Sequence, residues 1–180
     1  MGLLDRRRRD AAPKPRRYQM REHLLSIGDD YWIEDESGER AFTVDGKAVR
    51  LRETFVLEDA AGRELAKIQE RKLRVRDTMK IEGATGSATV RKALIGFRDR
   101  FEIDVDDGPD LKAHGNLVDH EYSIDRDGEQ VASVSKKWFR VRETYGVEIE
   151  AGQDDALILA ITVCVDAMTD DETGRGSRSG

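Results

Sequence analysis

The residues in this chain that could do chemistry are three histidines, one cysteine and a set of regularly spaced arginines. His23, His114 and His120 include no pair with the helical or CxxC-type spacing of a metal site. Folding could still assemble a zinc site from His114, Asp119 and His120. The simpler reading of that segment is a hairpin whose polar turn is capped by Asn116 and Asp119, and no metal is expected. Cys164 lies inside an apolar run, so it has no disulfide partner, a reducing compartment is implied, and its buried thiol is a poor nucleophile. The chain has no G-x-S-x-G, no phosphate-cradling glycine loop and no strand–helix alternation of a dinucleotide fold. Neither catalysis nor a cofactor is expected.

The cations are the remaining candidates. Arg50, Arg52, Arg74, Arg76, Arg140 and Arg142, with Arg91, Lys92, Lys136 and Lys137, would stand on the outer face of neighbouring strands, where guanidinium forks can hold phosphate. Glu53, Glu58, Asp77, Glu82 and Glu143 are interleaved with them, so cross-strand ion pairing on a solvated surface is the plainer reading. Ahead of these, residues 1–17 carry Arg6, Arg7, Arg8, Arg9, Lys14, Arg16 and Arg17, two prolines and almost nothing to bury, which reads as a disordered basic arm. The arm together with Arg74, Arg76, Lys136, Lys137, Arg140 and Arg142 makes the candidate lipid or phosphate site. Each basic residue near an anionic bilayer contributes about 1 kcal/mol, weakened by salt. The net charge of −6 argues against general nucleic-acid binding, which phosphate contacts dominate. No apolar stretch follows the arginines as a secretory signal requires, and Arg6 breaks the myristoylation pattern. The expected location is cytoplasmic, at most peripheral to a membrane.

Something must position these side chains, and the run from Ala156 to Met168 is the organising element. It is the longest mainly apolar stretch in a chain that is 38% charged. Its thirteen residues fall short of the roughly 20 needed to span a bilayer. A buried helix over about 154–168 fits best, with a cap and two carboxylates from Gln153, Asp154 and Asp155 at its N-terminus. Leu157, Ile158, Ile161 and Val165 would be its core residues; the alternative is a central strand, favoured by its β-branched content.

The rest of the chain repeats. Phe42 to Thr54, Ala66 to Thr78, Ala88 to Arg100 and Ala132 to Thr144 align without gaps, and a weaker copy begins at Leu111. Starts at 42, 66, 88, 111 and 132 differ by 24, 22, 23 and 21 residues. Turn signals recur at the same period: Ser37-Gly38, Ala61-Gly62, Thr85-Gly86, Asp107-Gly108, Asp127-Gly128 and Ala151-Gly152, with Asp45-Gly46 and Gly115-Asn116 inside two units. Tyr18 to Glu34 makes a sixth, degenerate unit; each unit is then a hairpin with one apolar face, and six hairpins make about twelve strands. A sheet that wide closes to remove its edges, and the resulting lumen is too wide for strand side chains alone to fill. The apolar helix fills it. One detail conflicts with the alternation: Glu53, Asp77, Asp99 and Glu143 of the Arg-acid segments fall on the apolar side, so either the strand bends there or the acids face inward at a rim and meet arginines.

Residues 20–30 (MREHLLSIGDD), the Arg-x-Arg-acid-Thr segments, residues 116–122 (NLVDHEY), Lys137-Trp138-Phe139 and the Asp-Asp-Ala-Leu start of the helix resemble the LURP-one-related family, which shares the tubby C-terminal-like fold. The resemblance covers residues 18–169; the end beyond it, 170–180, is polar with no apolar residue and reads as a disordered tail. It implies a mostly β protein: a twelve-stranded closed antiparallel barrel around a central hydrophobic C-terminal helix. Tubby proteins bind phosphoinositide headgroups, but no tubby headgroup motif is found here. The expected function is a non-enzymatic intracellular scaffold or interaction module, with an unknown protein as partner. The alternative is peripheral binding of anionic phospholipid or phosphoinositide through the basic arm and the barrel cations.

Overall fold

The structure is a computed structural model that describes residues 13–21, 31–49, 52–72, 77–93, 100–139 and 144–176. Twelve strands precede one helix: β1 (Arg16–Arg21), β2 (Tyr31–Asp35), β3 (Arg40–Val49), β4 (Arg52–Asp59), β5 (Glu64–Lys72), β6 (Asp77–Gly83), β7 (Ser87–Lys92), β8 (Arg100–Val105), β9 (Leu111–Asn116), β10 (Glu121–Arg126), β11 (Glu129–Ser135), β12 (Thr144–Ile149) and α1 (Asp155–Gly176). Every strand pairs antiparallel with its neighbours in sequence, and β1 closes the barrel against β12, from Arg16 opposite Ile149 to Arg21 opposite Thr144. The repeated units are therefore the strand pairs β3–β4, β5–β6, β7–β8, β9–β10 and β11–β12, and β1–β2 is the sixth.

The recurring turn chemistry is visible atom by atom. In Asp35-Glu36-Ser37-Gly38 and Asp59-Ala60-Ala61-Gly62 the glycine takes φ of 79° and 78°, a region costly for residues with a Cβ. The aspartate side chain accepts from backbone N–H groups of Ser37 and Glu39 in one turn and of Ala61 and Arg63 in the other. These bonds hold both carboxyls below the usual range, chiefly through the Ser37 hydroxyl at Asp35 and the Arg63 N–H at Asp59. A register shift adjoins each turn, at Ile33/Glu34 and Leu57/Glu58. Asp45-Gly46 departs from the expectation: it is no turn, because β3 runs through it with Asp45 opposite Val56 and Gly46 opposite Phe55. The ladder from Phe42–Asp59 to Val49–Arg52 is unbroken, so no reversal is called for.

Alternate residues face inward on β7 (Ala88 and Val90) and β8 (Phe101 and Ile103), and Tyr145, Val147 and Ile149 do so on β12; all are buried. They meet α1, in which every residue from Ile158 to Met168 is buried. Burying each such aliphatic side chain contributes about 1.5–3 kcal/mol relative to exposure, and helix and barrel supply each other's core. The β-branched residues that weaken helix propensity are offset by this enclosure. Asp154 caps the helix, accepting from the Leu157 N–H at 3.1 Å. The helix continues to Gly176, eight residues past the expected end near 168, so the segment read as a disordered tail from 170 is helical through 176. Once nucleated, a helix gains one backbone hydrogen bond for each residue added and needs no burial to extend a few turns. The side chains of Glu53 and Asp77 and all of Asp99 and Glu143 lie outside what the structure describes.

Candidate functional site

Two places hold polar chemistry. The first is inside the barrel, near the C-terminal half of α1. Asp166 interrupts the apolar run, and its side chain is 2% exposed. Tyr145 Oη on β12 donates to Asp166 Oδ2. His120, ending the β9–β10 connection at φ 50°, places Nδ1 3.4 Å from Asp166 Oδ1 and stacks on Tyr145, ring centroids 4.3 Å apart. Tyr31 and Tyr122 bring further buried phenols from β2 and β10. Burial first, and then the charge of Asp166, pushes all three phenols well above the usual tyrosine range. Burial likewise pushes the Cys164 thiol up, which leaves it unreactive as a nucleophile. An acid, an imidazole and three phenols could pass a proton, but the group is closed off from solvent. Its evident physical consequence is positional: an apolar rod could rotate or slide in an apolar sleeve, whereas a buried carboxylate is tolerable only where its partners are.

The second place is the outer face of β12, β1 and β2. Outward residues Arg17, Gln19 and Arg21 alternate with buried Tyr18 and Met20. The Arg17 guanidinium lies 5.4 Å from the Trp138 ring and pairs with Glu148 at 2.5 Å. On the other side of β1, Arg21 and Arg40 lie 5.7 and 4.5 Å from the ring of Trp32, whose Nε1–H donates to Glu34. Trp138 closes a 3-10 turn, Lys136–Trp138, that is anchored by Glu121, which accepts from the Ser135 hydroxyl and the Lys136 N–H. That turn folds over β12 at Gly146. A Cβ there would stand 2.7 Å from Trp138 Cε3 and 2.8 Å from Phe139 Cε2.

The cations singled out in the sequence divide accordingly. Arg6 to Arg9, Arg74, Arg76, Arg140 and Arg142 lie outside the described residues. Lys14 is exposed just before β1. Arg16 turns to the helix start, bonding Asp155 at 2.6 Å and the Gln153 carbonyl at 3.2 Å, while the Tyr18 hydroxyl donates to the same carboxylate. Arg17, Lys136 and Lys137 are brought together on the outer face, with Lys137 Nζ 3.5 Å from Glu121. Ion pairs also take up Arg63, Lys80 and Arg91. His114, Asp119 and His120 go to three different partners: Asp125, Asn116 and Asp166. Ile158, Ile161 and Val165 are buried as expected, and Leu157 is half-buried at the mouth. Sequence reasoning misses the Asp166 network. One acid inside an apolar run does signal a buried partner, but that partner comes from strands distant in the chain.

Comparison with known proteins adds three findings. The family described as LURP-one-related matches residues 16–166. A solved structure of a protein from Arabidopsis thaliana is similar in fold: TM-score 0.63, 16% identity, covering 87% of this chain and 93% of that one. No curated protein matches the chain.

Proposed function

The chain belongs to the LURP-one-related family, and we propose that it is a non-enzymatic cytoplasmic interaction module that works through the outside of its barrel. The observation that carries this reading is the filled lumen, where Ile158 to Met168 occupy the space a substrate would need. Added small molecules should leave the melting temperature and the absorbance of Tyr31, Tyr122 and Tyr145 unchanged. A compound that shifts both would overturn the reading.

A second reading is peripheral attachment to anionic phospholipid. It is favoured by the exposed Lys14 just before β1 and by Arg17 beside Trp138 of the Lys136–Trp138 turn, with Arg6 to Arg9 preceding them in the sequence. No helix among the described residues is long and apolar enough to cross a membrane. The full chain should float with phosphatidylserine-containing vesicles at low salt and be released at high salt, and deletion of residues 1–12 should weaken the binding. Absence of flotation at low salt ends this reading.

A further inference from the structure

The chain has two tryptophans, and neither fills the core. Trp32 is 38% exposed on β2, and Trp138 lies against the outside of β12. Large aromatic rings are the side chains a core would use first, so their presence outside calls for an explanation. Both lie beside outward arginines on the same part of the barrel: Arg17 at Trp138, and Arg21 and Arg40 at Trp32. Trp138 has a built seat, because only a residue without a Cβ lets it rest on β12 at Gly146.

We propose that the outer face of β12, β1 and β2 is the side this protein turns toward an anionic phospholipid surface, with Trp32 and Trp138 as interfacial anchors and Arg21 and Arg40 as headgroup contacts. This deepens, and rests on, the phospholipid reading above. Three observations favour lipid as the occupant. Indole rings combine an apolar body with one polar N–H, the chemistry that concentrates at membrane interfaces. Arg17, Arg21 and Arg40 gather at the two rings, a local concentration of cations in a chain of net charge −6. The closed strand order leaves no free edge to which an extended peptide could add. Glu34 and Glu148 also sit on this face, one bonded by the Trp32 indole and the other paired with Arg17. Lys137 is likewise paired with Glu121, which leaves Arg21 and Arg40 as the contacts to test.

The chain's two tryptophans make the experiment direct. Trp32→Phe leaves Trp138 as the only indole, and Trp138→Phe leaves Trp32. Each full-length variant, checked for an unchanged thermal transition, is mixed with vesicles of phosphatidylcholine alone or with phosphatidylserine. The expected result is a blue shift of both indoles with anionic vesicles only, reversed by salt, and a roughly thirtyfold weaker affinity for Arg21→Gln/Arg40→Gln. If the protein floats with anionic vesicles but neither indole shifts, this face is wrong while the phospholipid reading stands. If nothing floats, both fall together. Equal shifts with neutral vesicles, or unchanged affinity in the double variant, would overturn the role of the arginines.

Discussion

Asp166 is the residue whose environment departs furthest from what its type prefers. A carboxylate with a 2% exposed side chain is held by the Tyr145 hydroxyl and lies 3.4 Å from the His120 imidazole. Truncation to Asp166→Ala removes the charge but leaves the phenol and imidazole facing an apolar void, and is expected to cost about 3 kcal/mol. Tyr145→Phe strips one hydrogen bond and is expected to cost about 1–3 kcal/mol. Because both act on one contact, the double variant should cost clearly less than the sum, as read by urea unfolding. Strict additivity would show that the two side chains do not depend on each other. The network is hidden in the sequence because Tyr145 lies 21 positions from Asp166 and 25 from His120, and the three meet only after the barrel closes.

At the scale of the element, the Asp-x-x-Gly turns after β2 and β4 and the glycine inside β3 make a matched comparison. Gly62 sits at φ 78°, where an added Cβ is strained whatever the space, so Gly62→Ala is expected to destabilise by about 1 kcal/mol. Gly46 lies within a strand, and a Cβ added there would meet nothing within 4 Å, so Gly46→Ala should be neutral or slightly stabilising. Denaturant midpoints of the two variants decide between them. In the sequence both are an acid or alanine followed by glycine, and the dipeptide alone does not separate a turn from a strand. What separates them is whether the partner strand continues alongside, which for Asp45-Gly46 it does.

At the scale of the whole molecule, all four tyrosines of the chain have their phenols pushed above the usual range by burial, Tyr18 with help from its bond to Asp155. Raised in the folded state, they hold their protons more tightly folded than unfolded. The stability they contribute is complete below pH about 10, the unfolded value, and is lost as pH rises toward the folded values. Phenolate absorbance should therefore stay low above pH 10 and then rise together with the loss of circular dichroism, as one cooperative event. A tyrosine ionising near pH 10 with the fold intact would be one the barrel does not enclose.

From the sequence alone come the period near 22 residues, the glycine turns and the apolar run, and these are enough to specify twelve strands closed around a helix. Each of them is a local pattern set by side-chain periodicity and turn chemistry, which act over a few residues. The helix's continuation to Gly176 and the continuity of β3 through Gly46 are decided by backbone hydrogen bonds that local patterns do not encode. The Asp166 network, the pairing of Arg16 with the helix start and the gathering of both tryptophans beside β1 belong to the tertiary structure alone. Barrel closure is the cause: it brings β1 against β12 and carries the interior strands to α1, creating neighbours that no spacing along the chain announces.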